Sequence, residues 1–273
     1  MGYMRFSFLS KTLGFHTNVA VVIPSDKPMQ PGQSLEDACR ITETYPVLYL
    51  LHGGGQNAFD WVRFTSVERY AEERGIAVVM PEVGASSFYS DMAHGYPYFT
   101  YLSEELPKVV ESRFPVGGCR EKRFVAGLSM GGYGAFKWAF RKPEFFSASA
   151  ALSGSSLVVE IFSQGFGSSS PDDRCSLVNL NWGGLEKLRN SPDDTKYMLE
   201  QIAKDPAKYP AFYVAIGRED PTYQYTQNFM NYAKKLGVPI TYEEGPGGHE
   251  WKFWDAFLPR VMDWCMDSAK QRA

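Results

Sequence analysis

Several kinds of residue and pattern are scarce in this chain, and each scarcity excludes a class of protein. Cysteine is limited to Cys39, Cys119, Cys175 and Cys265, widely spaced and with no C-x-x-C pair, so neither a zinc site nor a redox motif has sequence support. Four idle thiols are the expectation, and no metal is called for. An excess of basic charge is also absent: Lys and Arg total 28 against 31 Asp and Glu, a net charge of -3. Such a surface has no field to attract a phosphate backbone or an anionic leaflet, which argues against nucleic acid as a partner. Long apolar runs are missing too. The strongest, Val19-Ala20-Val21-Val22-Ile23, falls far short of the roughly 20 residues that cross a bilayer, and Phe6 to Leu9 after Arg5 is too short for a secretory core. A cytoplasmic protein with no membrane span is expected. No G-x-G-x-x-G or P-loop stands out, so nucleotide binding is disfavoured.

What is present is enough chain for a large core. At 273 residues, with 44% hydrophobic and 22% charged residues, the composition is that of an ordinary globular domain, and about three quarters of the unfolded surface becomes buried at this size. Short β-branched runs alternate with amphipathic segments, the pattern of an α/β protein whose mostly parallel sheet carries helices on both faces. Phe6 to Ser10 and Asn18 to Ile23 read as antiparallel edge strands. A Pro-rich loop from Pro24 through Pro28 and Pro31 to Tyr45 precedes a buried strand at Pro46 to Leu51. Further strands are expected at Ile76 to Met80, Arg123 to Ala126, Ala148 to Leu152, Phe212 to Ile216 and Pro239 to Tyr242. Helices are expected at Ser66 to Arg74, Phe99 to Phe114 with Pro107 either kinking it or moving its start, Gly132 to Arg141, Thr226 to Leu236 and Trp251 to Ala269. Ser153 to Pro192 is irregular; with a helix near 193–203 it makes 153–205 a lid-like insertion in a single domain spanning 1–273.

The chemistry is concentrated at Gly127-Leu128-Ser129-Met130-Gly131, a G-x-S-x-G between a strand and a helix. A serine lifted out of a sheet on a sharp turn needs small neighbours, and at a helix N-terminus it faces free N–H groups that favour negative charge. A serine hydroxyl also needs a base and an orienting carboxylate. Of four histidines, His16, His52 and His94 have plausible local roles. His249 lies in the glycine-rich loop Glu244 to Trp251, late enough to complete the chain order Ser, Asp, His. Asp220 follows a buried strand and so projects at its carboxyl end beside the serine turn; Glu219 is its nearest rival, while Asp172, Asp173, Asp193, Asp194 and Asp205 are expected to be exposed. After another strand, His52-Gly53-Gly54-Gly55 resembles a segment that donates one N–H to an oxyanion. Gly54 and Met130 are the nominated donors, with Gly53 and Gly55 open as replacements. Trp61 and Trp251 are the substrate-pocket candidates, against a core alternative.

Leu50-Leu51-His52-Gly53-Gly54-Gly55, Gly127 through Ala135, and Gly247-Gly248-His249-Glu250-Trp251 resemble the esterase D family. Trp61, Tyr89-Ser90-Asp91-Met92 and Phe99 through Leu106 look most like its bacterial tributyrin-type esterase branch. The resemblance runs from about Val19 to Trp264. It implies an α/β-hydrolase fold, no cofactor, and hydrolysis of small-molecule, short-chain acyl esters through an acyl-enzyme, with the catalytic roles on Ser129, Asp220 and His249. S-formylglutathione hydrolases are close relatives that usually carry His where this chain has Tyr133. Acyltransferases share the broad family, and a non-catalytic binding module on the same fold is the alternative of another class. The physiological ester is left open, carbohydrate acetyl esters included, as is a homo-oligomer.

Overall fold

A computed structural model of the chain describes residues 2–24, 30–40, 44–164 and 171–272. Residues 25–29, Pro28 among them, and residues 41–43 and 165–170 lie outside the described residues, as do the side chains of Cys39, Asp172, Asp173 and Cys175. Among the described residues, eight strands form one sheet: β1 (Gly2–Leu9), β2 (His16–Ile23), β3 (Val47–Leu51), β4 (Ala77–Pro81), β5 (Arg123–Leu128), β6 (Ala148–Leu152), β7 (Ala211–Gly217) and β8 (Ile240–Gly245), in the order β1-β2-β4-β3-β5-β6-β7-β8. β1 pairs antiparallel with β2 and β2 antiparallel with β4, as the edge-strand reading expects; from β4 to β8 all pairing is parallel.

Parallel strands must be covered on both faces, and β3, β4 and β6 are buried at every position. Alternate side chains feed two cores. Val21, Tyr49, Val79 and Val125 belong to one core with residues of the Met130–Arg141 and Tyr223–Leu236 helices, while Val22, Leu48, Val78 and Phe124 belong to a second core with residues of the Val67–Arg74 and Trp251–Arg272 helices. The Phe99 to Phe114 segment is helical from Tyr98 to Glu111, with a wide π turn at Tyr101–Glu105 where Leu106 N–H reaches back to the Tyr101 carbonyl. That turn sits immediately before Pro107, which has no N–H to contribute. The Pro-rich loop holds a short helix, Leu35–Cys39, whose first turn is capped by the Ser34 hydroxyl.

The 153–205 segment is more regular than its composition suggests. Helices at Val158–Gln164, Pro171–Trp182 and Leu185–Leu188 replace the irregular stretch expected from Ser153 to Pro192, and the helix expected near 193–203 is present at Thr195–Lys204. Strand order reverses at β3, which lies between β4 and β5. Connections leave in opposite directions there, and a crevice opens beyond the carboxyl ends of the strands. In register, Leu51 pairs with Gly127, Leu128 with Leu152, and Leu152 with Ala215. The loops leaving β3, β5, β6 and β7 therefore emerge side by side.

Candidate active site

β5 ends at Leu128, the helix starts at Met130, and Ser129 between them has φ 51 and ψ -121. A non-glycine residue is strained there, and the surroundings hold it. Ser129 N–H donates to the Leu152 carbonyl at 2.8 Å. A Cβ on Gly127 would lie 2.3 Å from the Gly131 carbonyl oxygen, and one on Gly131 would lie 2.4 Å from that of Leu51. The spacing of the motif is thus a packing requirement. Gly154 shares it, since its Cβ would come 2.3 Å from the Ser129 carbonyl; it stands in another loop, and no local motif marks it.

The loop after β8 brings His249 to the serine, and the turn after β7 brings Asp220 to His249. His249 Nε2 lies 3.0 Å from Ser129 Oγ, and its Nδ1 lies 2.9 Å from Asp220 Oδ2. Asp220 is buried, and its Oδ1 accepts both the N–H and the hydroxyl of Thr222, each at 2.7 Å. Burial by itself would raise the pKa of this carboxyl, but the hydrogen bonds from His249 and Thr222 prevail and hold it below the ordinary aspartate value. A carboxylate that only accepts keeps the imidazole proton on Nδ1 and turns the Nε2 lone pair to the serine. Glu219 acts elsewhere. Its Oε2 accepts the Gly247 N–H at 2.5 Å, fastening the histidine loop to the aspartate turn. Trp254, which sequence reasoning did not single out, packs edge-on against the His249 ring at 5.1 Å and donates to Ser153 Oγ at 3.1 Å. One helical turn from Trp251, it faces the histidine where Trp251 does not.

The three glycines after His52 have distinct roles. Gly53 N–H donates to Gln56 Oε1 at 2.8 Å and Gly55 N–H to the Ala85 carbonyl at 2.9 Å. Gly54 N–H has no partner among the described residues, and Gly54 lines a cavity with Ser129 and Met130. Met130 is the first residue of its helix, where an N–H has no intrahelical acceptor. His52 is structural. It is buried, its Nε2 accepts from Val83 N–H, its Nδ1 faces the Gly53 carbonyl, and burial lowers its pKa. His16 and His94 are exposed, away from the cavity.

The cavity measures about 250 Å³, and Phe88, Tyr133, Val158, Ile161, Phe162 and Leu177 give it an apolar wall. No charged side chain lines it among the described residues. Four of those six residues come from the 153–205 segment. Trp61 and Trp251, the pocket candidates from sequence, do not line it. Trp61 is fully buried with its indole N–H on the Leu51 carbonyl, and Trp251 packs edge-on against Trp61 and flat on Phe64, so both belong to the core on the opposite face of the sheet. Asp193 and Asp194 also depart from expectation: both are buried and hydrogen-bonded rather than exposed. Among the described residues, no cluster of His, Cys, Asp or Glu could hold a metal ion, and no helix is long and apolar enough to cross a membrane.

The family model "Esterase: Putative esterase" matches residues 10–264. The chain is 31% identical over 271 residues to the acetyl esterase of Caldicellulosiruptor saccharolyticus, covering 97% of this chain and 98% of that one. Two Staphylococcus aureus structures resemble it over 97% of this chain and 98% of theirs. The fluorophosphonate-binding serine hydrolase F, substrate bound, has a TM-score of 0.84 at 30% identity, and an S-formylglutathione hydrolase apoenzyme has 0.82 at 29%. The fold is that of the α/β-hydrolases, and the chain belongs to the Esterase family.

Proposed function

We propose that this chain is a serine carboxylesterase that hydrolyses short-chain acyl esters through an acyl-enzyme. The observation that carries the reading is the continuous relay from Ser129 Oγ to His249 Nε2 at 3.0 Å and from His249 Nδ1 to Asp220 at 2.9 Å. Ser129 Oγ attacks the acyl carbon while His249 Nε2 takes its proton, and Asp220 holds and stabilises the imidazolium. The tetrahedral oxyanion accepts the N–H groups of Gly54 and Met130, each such donor contributing about 2.7–4 kcal/mol to the transition state. His249 then protonates the leaving alkoxide, which departs as the alcohol and leaves Ser129 acylated. Water attacks that ester with His249 again as base, and the carboxylic acid leaves.

The apolar wall supplied by the 153–205 helices supports their reading as a lid over the acyl site, and the absence of a charged lining side chain among the described residues favours neutral esters. Glutathione carries two carboxylates and an ammonium, so the cavity supports a simple ester better than S-formylglutathione. Together with Tyr133, this favours placement in the tributyrin-type branch of the esterase D family. The test is a substrate panel: p-nitrophenyl acetate and butyrate, longer acyl chains, acetylated sugars and S-formylglutathione. Rapid turnover of the short oxoesters, abolished in Ser129→Ala with the fold intact, is expected. Retained activity in that variant rejects the nucleophile, and a preference for S-formylglutathione rejects the substrate class. Acyl transfer to an added alcohol that outpaces hydrolysis makes the protein an acyltransferase.

A further inference from the structure

One buried charge has no part in this relay. Lys137 lies in the middle of the Met130–Arg141 helix, completely buried, and its ammonium donates to the Phe88 carbonyl at 2.9 Å, Ser90 Oγ at 2.8 Å and Asp193 Oδ2 at 3.2 Å. Those contacts use all three of its protons. Asp193 comes from the 153–205 segment and also accepts from Trp182 Nε1 at 2.9 Å and Arg141 Nη1 at 3.3 Å. A buried ion pair is a weak source of stability on its own, because desolvation opposes the attraction. What the pair grips is therefore informative.

It grips a strained turn. Phe88 and Tyr89 have φ of 47 and 51, two successive bulky residues in the left-handed region, a conformation that persists only when its surroundings impose it. The loop carrying that turn is also the support of the oxyanion segment. Tyr89 OH donates to the His52 carbonyl at 2.8 Å, and the Ala85 carbonyl accepts from Gly55 N–H at 2.9 Å. Gly54 sits between these two tethers to a single loop. Met130, the other donor, is fixed independently by its helix.

We propose that Lys137, paired with Asp193, is a positioning residue for the oxyanion: it holds the Phe88–Tyr89 turn so that the tethers from Tyr89 and Ala85 aim the Gly54 N–H. The proposal rests on the assignment of Ser129 and Gly54 above. It makes the anchorage of the 153–205 segment part of transition-state binding.

The experiment compares the wild type, Lys137→Met, Tyr89→Phe and the double variant on p-nitrophenyl acetate and on its thiono analogue, whose C=S accepts hydrogen bonds poorly. Labelling of wild-type Ser129 by a fluorophosphonate tests the underlying assignment first, so a failure there is separate from a failure here. Lys137→Met is expected to lower kcat by about 10- to 1,000-fold, up to the loss of one oxyanion donor, with KM nearly unchanged and the oxoester losing more than the thionoester. Tyr89→Phe should show the same selective loss, and the double variant should be no worse than the poorer single, as for two parts of one path. A folded Lys137→Met with kcat within about twofold of wild type, equal losses on the two esters, or losses that multiply in the double variant each overturn the proposal. If Lys137→Met does not fold, Ser90→Ala removes one acceptor of the ammonium and keeps the ion pair. A smaller fall in the oxoester preference supports the proposal, and an unchanged preference overturns it.

Discussion

Replacing Asp220 by Asn keeps the size and burial of the side chain but is expected to invert the histidine. The amide has one oxygen, and the structure determines where it goes. Thr222 directs two donors, its N–H and its hydroxyl, at the Oδ1 position, each at 2.7 Å, so the oxygen stays there and the NH2 group takes the place of Oδ2, 2.9 Å from His249 Nδ1. A donor at that point demands an acceptor, so Nδ1 loses its proton and Nε2 gains one. The nitrogen 3.0 Å from Ser129 Oγ then carries a hydrogen and cannot act as a base. Loss of the correct tautomer lowers kcat by about 10⁴-fold, or about 5 kcal/mol of transition-state free energy. The assay is steady-state hydrolysis of p-nitrophenyl acetate, with the thermal unfolding midpoint measured in parallel. A folded Asp220→Asn enzyme with kcat within about tenfold of wild type would refute the assignment of Asp220 and the tautomer argument together.

Other outcomes follow from the same geometry. Gly131→Ala places a Cβ 2.4 Å from the Leu51 carbonyl oxygen, whereas Gly54→Ala places one 3.6 Å from that of Ala85. Gly131→Ala should therefore unfold at a markedly lower temperature and lose activity, and Gly54→Ala should stay folded and active; the reverse order contradicts the elbow packing. Phe162→Ala opens the apolar wall of the cavity and should move the best acyl chain from about two to four carbons toward about six to eight, read as kcat/KM across a p-nitrophenyl ester series. An unchanged optimum would place the acyl group elsewhere. Burial lowers the Lys137 pKa to about 8, below the ordinary lysine value of about 10.4. Between these values the unfolded chain holds more protons at this group than the folded one, so its contribution to stability rises with pH through that window and is lost as pH falls through about 8. The unfolding free energy of wild type minus that of Lys137→Met should therefore climb between about pH 8 and pH 10, and a flat or falling difference contradicts the burial of a charged lysine.

The nucleophile turn and its partners are legible in the sequence because their signals are local. Small residues at Gly127 and Gly131 are forced by contacts within the turn and with the adjacent strand, chain order selects His249 from the other histidines, and the place of Asp220 just after a buried strand sets it apart from the aspartates of the 153–205 segment. The buried strands are equally legible, since a strand covered on both faces has to be apolar throughout. Side chains whose environment is made by distant segments are not. Trp61 follows the oxyanion segment closely, yet its helix turns it toward the Leu51 carbonyl and the far core. Asp193 belongs to a polar, loop-like stretch, and its burial depends on Lys137 and Trp182, which no local pattern connects to it. The helices between Val158 and Leu188 are hidden for a related reason: their apolar side chains pack against one another and against Phe88 and Tyr133, whereas Thr195–Lys204, with Met198, Leu199 and Ile202 on one face, is the helix expected near 193–203. Gly54 is separated from Gly53 and Gly55 only by where the neighbouring N–H groups donate.

The most direct measurement is peptide mapping by mass spectrometry after brief exposure to a fluorophosphonate, comparing wild type with His249→Ala. A single phosphonyl adduct on Ser129 in the wild type, formed orders of magnitude more slowly in His249→Ala, is the predicted result. No adduct on Ser129, or labelling that proceeds equally fast without the imidazole, would contradict the account.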